Sequence, residues 1–128
     1  MYYQMPQEVE VWLIIPALRS EIAKSMIEDY KFTQKRVSEY MNITEAAVSQ
    51  YVSLKRAKEV VFSNGILDQI NKSLKVIIEN KEKFIPEMVR LCKLTEVRQV
   101  MCDLHKKQDV NLPVDCDVCF EEDIIKIK

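Results

Sequence analysis

The chain is predicted to be all-α, and three observations carry that prediction. It holds one glycine and four prolines in 128 residues, too few of the residues that turn one strand into the next. Its apolar residues recur at helical spacing along most of its length. The stretch from Thr33 to Arg56 reads as two short helices joined by a tight bend, a helix-turn-helix. The expected architecture is an N-terminal helix-turn-helix domain over 1–60, long amphipathic dimerisation helices over 61–90, and a small C-terminal cysteine-rich metal module over 91–128.

Taken in order, Val9 to Ile15 alternates too loosely to decide between strand and helix. Pro16 suits the first turn of a helix, and Leu18, Ile22 and Met26 then recur every four residues, so a helix is expected to end near Tyr30. Trp12 is expected to pack in the core or in a dimer rather than to serve as an interface anchor.

In the helix-turn-helix, Val37, Met41, Ile43, Val48 and Tyr51 supply the stripe that two such helices bury against each other. Ser38 falls at their closest approach, where a small side chain is required. Asn42 stands at the bend and is expected in the left-handed region, which Asn tolerates best after glycine. Thr44 stands where its hydroxyl can cap the second helix.

That second helix leaves Glu45, Ala46, Ser49, Gln50 and Ser53 outward. Gln50 suits a bidentate contact to adenine, Ala46 a thymine methyl, and Glu45 a cytosine amino group. Lys35, Arg36, Lys55, Arg56 and Lys58 flank the pair and suit phosphates, which position a protein without specifying sequence. The partner expected is a double-stranded DNA operator.

A net charge of −1 looks unsuited to that partner until it is divided along the chain. Residues 31–60 hold six basic and three acidic groups, whereas 1–30 hold two and five, and 91–128 six and eight. The positive charge lies on the motif. A phosphate feels only the potential within a Debye length, about 8 Å in physiological salt.

The runs Pro16-Ala17-Leu18-Arg19, Ile22-Ala23, Thr33-Gln34, Ala46-Ala47-Val48-Ser49-Gln50-Tyr51 and Lys55-Arg56 resemble a family of archaeal transcriptional regulators. Their helix-turn-helix is related to that of the lambda-repressor and Cro group. The resemblance covers about residues 6–58, and AAVSQY is its most specific part. It implies a homodimeric regulator of transcription, brings Thr33 and Gln34 into the DNA-contact set, and suggests cysteines after the DNA-binding domain. A second cysteine of a CxxC pair is expected near Cys92, but position 95 is Thr95.

Beyond the motif, Ser63 is expected to cap a helix running to about Asn80, with Leu67, Ile70, Leu74 and Ile77 forming a short heptad seam. The seam has two readings: dimerisation, which the pairing of two recognition helices about 34 Å apart favours, or an amphipathic helix lying on the first domain. A following helix carries Phe84, Ile85, Met88 and Val89.

Cys92, Cys102, Cys116 and Cys119 crowd the last part of the chain, with the lone histidine, His105. Cys116 and Cys119 form a CxxC in a polar segment, a half-site typical of zinc or iron–sulfur centres. Cys92 and Cys102 would stand about 15 Å apart on one straight helix, so either the helix breaks near Thr95 to Val97 or Cys92 is not a ligand. The centre expected is an iron–sulfur cluster, 4Fe-4S or 2Fe-2S, on all four cysteines and open to redox or iron sensing; the alternative is zinc. Cys102, His105, Cys116 and Cys119 suit a structural Zn2+.

No apolar run reaches a membrane-spanning length, and the first residues do not read as a secretory signal, so a cytoplasmic protein is expected. With one histidine, no glycine-rich phosphate loop and no Ser/His/Asp set, neither an enzyme nor a small-molecule substrate is expected. A competing expectation is a protein-interaction module with zinc as a staple.

Overall fold

The computed structural model describes residues 5–53 and 60–108. Every regular element among them is helical: α1 (Pro6–Val9), a π-helical turn (Glu10–Ile14), α2 (Ile15–Glu28), α3 (Gln34–Met41), α4 (Glu45–Val52), α5 (Asn64–Glu79), a short 3-10 turn (Lys81–Lys83), α6 (Phe84–Cys92) and α7 (Thr95–Gln108). The all-α prediction holds.

The ambiguous stretch before Pro16 is helix, widened to π geometry. Proline supplies the cause. Its ring crowds the carbonyl four residues back and it has no N–H to donate, so the preceding turn opens. Leu13 and Ile14 still face inward, while Val11 and Trp12 are 55% and 48% exposed. Trp12 is therefore not core filler, contrary to one half of its expected role.

α2 ends at Glu28, close to the expected Tyr30. The chain reverses through Lys31, which adopts φ 59°, and Phe32 N–H returns to the Met26 carbonyl at 2.9 Å. A lysine in the left-handed region was not legible beforehand, because nothing in its side chain favours that backbone.

α5 matches its expected span and cap: the Ser63 hydroxyl accepts from Ile66 N–H at 3.3 Å. The one glycine, Gly65, lies in its first turn with ordinary φ. A Cβ there would stand 2.8 Å from a Glu96 carboxylate oxygen, which also accepts from the Ser63 hydroxyl at 3.3 Å. Glu96 thus brings α7 to the positive end of α5.

The seam of α5 points into its own chain. Ile70, Leu74 and Ile77 are buried and Leu67 half-buried, in one hydrophobic cluster that includes Leu18, Ile22, Val48, Leu91 and Met101. Of its two readings, the structure has the amphipathic helix lying on the N-terminal helices; these side chains are not available as a dimer seam. A polar clamp holds α5 to α6. Arg90 donates to Gln69 Oε1 at 2.9 Å, to Ser73 Oγ at 2.6 Å and to Glu87 Oε1 at 3.2 Å, and Ser73 donates to Glu87 at 2.7 Å.

The apolar set expected on α6 divides. Phe84, Met88 and Leu91 face the core, whereas Ile85 and Val89 are 62% and 47% exposed. After a break at Lys93–Leu94, α7 returns to the start of the chain, where Arg98 pairs with Glu10 at 3.6 Å. No helix among the described residues is long and apolar enough to cross a membrane.

Candidate nucleic-acid interface

α3 and α4 are each eight residues long and each is capped by a threonine. Thr33 Oγ1 accepts from Arg36 N–H at 3.2 Å, and Thr44 Oγ1 from Ala47 N–H at 3.0 Å. Both helices therefore begin sharply, with an orphan amide satisfied. Between them Asn42 takes φ 56° and ψ 45°, and Asn42 and Ile43 N–H both return to the Ser38 carbonyl. This is the left-handed C-terminal cap that the bend was expected to need. Ser38 is half-buried, and its hydroxyl donates to the Lys35 carbonyl at 2.6 Å.

The inner stripe is as expected. Val37, Met41 and Val48 are buried, and Ile43 and Tyr51 pack partly buried against the same cluster. On the opposite side, Glu45, Ala46, Ser49, Gln50 and Ser53 are all exposed, as are Thr33, Gln34, Lys35, Arg36 and Thr44. Lys55, Arg56 and Lys58 lie outside the described residues.

Three details refine individual roles. Thr33 and Thr44 hold their first turns with the oxygens expected to contact DNA, leaving each hydroxyl proton as the donor. Ser53 donates its hydroxyl to the Ser49 carbonyl at 2.9 Å, so it faces outward as an acceptor. Arg36 lies with its guanidinium carbon 3.8 Å from the Phe32 ring centre and 5.7 Å from that of Tyr40. Stacking fixes the plane and leaves the N–H edges available to a phosphate.

Sequence reasoning missed what positions α4. Arg19 of α2 donates through Nη1 to the Tyr51 hydroxyl at 3.0 Å and lies 5.8 Å from its ring centre. Fully buried Ser20 donates to the Tyr51 carbonyl at 2.8 Å. The only prior signal was that Arg19 and Tyr51 both belong to the family-like runs. On the far side, Tyr40 OH reaches the Ile78 carbonyl at 3.4 Å, bringing α3 to α5.

The cysteines are only partly placed. Cys116 and Cys119 lie outside the described residues. Cys92 ends α6 and Cys102 lies on α7, so the helix does break between them, at Lys93–Leu94 and not at Thr95 to Val97, which form the first turn of α7; the break leaves Cys92 open as a ligand. Cys102 and His105 are both buried and stand three residues apart on one face of α7, the arrangement that offers two ligands to one ion. Cys92 is half-buried, its thiol pushed up to about 11 by burial and by the nearby Glu10 carboxylate, with Arg98 and Arg19 opposing. A ligand thiol must ionise, and that environment works against it. Among the described residues no three potential metal ligands converge.

Comparison with known protein families, with characterised proteins and with solved structures finds no match to this chain.

Proposed function

We propose that the protein is a sequence-specific DNA-binding regulator of transcription of the archaeal type its motif resembles, with α4 as the recognition helix. One observation carries the reading: α3 and α4, joined at left-handed Asn42, bury one stripe while all five readout positions of α4 remain exposed. A helix held this way has its N-terminal half free to enter a major groove. Gln50 reads adenine and Ala46 a thymine methyl, while Gln34, Lys35 and Arg36 hold phosphates from the start of α3.

The readout side chains are small, so a single copy binds weakly and two copies act together on a two-fold operator. Selection of binding sites from random duplex DNA tests the reading. The parent protein is expected to enrich a recurring half-site, and Gln50→Ala to lose discrimination at one of its base pairs.

For the cysteine module we infer a metal centre on Cys102, His105, Cys116 and Cys119, the set suited to zinc. The buried Cys102 and His105 on one helix face favour it over the four-cysteine set that an iron–sulfur cluster would use, because burial and the nearby Glu10 push the Cys92 thiol up and work against its ionisation. Metal content and visible absorption of anaerobically purified protein test this. Colourless protein with one zinc per chain is expected, and a broad band near 400 nm, diagnostic of a cluster, would overturn it.

A further inference from the structure

Around the start of α3 three rings form a row. Tyr30 and Phe32 stand 6.1 Å apart between ring centres, and Phe32 and Tyr40 5.2 Å apart. The Arg36 guanidinium carbon lies 3.8 Å from the Phe32 centre and 5.7 Å from that of Tyr40. Arg36 and Tyr40 are four residues apart, so α3 itself puts them on one face. Phe32 comes from outside the helix. The left-handed backbone of Lys31, φ 59°, turns the chain back, and Phe32 N–H closes on the Met26 carbonyl at 2.9 Å. Both rings under Arg36 are half-buried against the core, and Tyr40 OH reaches the Ile78 carbonyl at 3.4 Å. The platform is therefore tied to α2 and α5, while Arg36 itself is exposed. Among the described residues no carboxylate pairs with it, although exposed Glu39 is three residues along the same helix.

An exposed arginine samples many rotamers, and ordering it on a phosphate opposes binding. Two uncharged rings order it beforehand without neutralising it. A non-glycine residue in left-handed backbone, kept where it brings a ring onto a cation, points to function. We propose that Phe32 and Tyr40 are positioning residues for the DNA backbone: they hold the Arg36 guanidinium, before DNA arrives, in the arrangement in which it takes a phosphate. The role rests on the motif binding DNA, and not on which bases α4 reads.

The test measures binding of the full chain to a random-sequence duplex across a salt series, because phosphate contacts do not depend on sequence. Arg36→Ala should weaken binding and lower the salt slope by about one. Phe32→Leu should weaken it about two- to tenfold, the effect of ordering one more side chain on binding, with the slope unchanged. Phe32→Tyr, which keeps a ring, should bind as the parent does. Arg36→Lys, which keeps the charge without the flat group, should behave as Phe32→Leu does. The deciding readout is the double variant: added to Arg36→Ala, Phe32→Leu should have no further effect. Each protein is compared at a temperature where its helical circular dichroism matches the parent's. An equal loss from Phe32→Leu with and without Arg36 overturns the role, because the ring would then serve the fold alone. Arg36→Ala that binds as the parent does overturns it as well. If these variants behave as expected while Gln50→Ala selects the same site as the parent, the reading of α4 fails and the role of the rings stands. No binding of the duplex by the parent at low salt overturns both.

Discussion

Arg19 Nη1 and the Tyr51 hydroxyl meet at 3.0 Å across 32 residues of sequence, and this contact fixes the end of α4 to α2. Ser20, the next residue, takes the Tyr51 carbonyl. One turn of α2 therefore holds both the side chain and the backbone of the same residue. α4 is short, at eight residues, and a short helix owes its stability to such tertiary contacts rather than to its own propensity.

Tyr51→Phe keeps the ring and removes the acceptor. A half-buried guanidinium N–H then loses its partner, and a loss of about 1 kcal/mol is expected. Ser20→Ala should cost about 1 kcal/mol. The two removals share one anchoring point, so denaturant melts of the single and double variants should give a non-additive sum.

The bend and caps make a second set. Thr44→Ala removes the acceptor for Ala47 N–H and should cost about 1 kcal/mol. Lys31→Gly should stabilise the protein by about 1 kcal/mol, since only the left-handed backbone of Lys31 is relieved. Thermal melts of the two variants should move in opposite directions.

In DNA binding, Gln50→Ala and Lys35→Ala should fail differently. The first should lose about 1–3 kcal/mol of discrimination at one base pair and little elsewhere. The second should weaken all sequences alike and lower the salt slope by about one. Titrations of a selected duplex and its single-base variants, at two salt concentrations, separate the two effects.

Cys92 gives a pH prediction. Its folded thiol is raised from 9.0 to about 11, so the folded state holds the proton more tightly than the unfolded chain does. Its contribution to stability is full below pH 9 and is lost as pH rises through 11. Alkylation of Cys92, followed by mass spectrometry, should be slow at pH 8 and rise about tenfold per pH unit up to that range.

Much of this was legible in local sequence, because local rules governed it. Asn42 at a bend, Thr44 and Ser63 before helices, and the period of Leu18, Ile22 and Met26 each report a preference of the residue itself. The seam on α5 is legible in its spacing, but periodicity marks a buried face without saying what buries it. For the same reason helical spacing groups Ile85 and Val89 with Phe84 and Met88, although the structure divides them. The π turn before Pro16 and the left-handed Lys31 answer to the path of the chain rather than to residue preference. The hold of Arg19 on Tyr51 is a pairing across 32 residues, which no local rule reports.

The most direct measurement of the central claim is selection from random duplex DNA by the purified parent protein, repeated with Gln50→Ala. A recurring two-fold site, altered by the substitution at symmetry-related positions only, is the predicted result. No enrichment by the parent, or the same site selected by both proteins, would contradict the assignment of α4 as the helix that reads DNA.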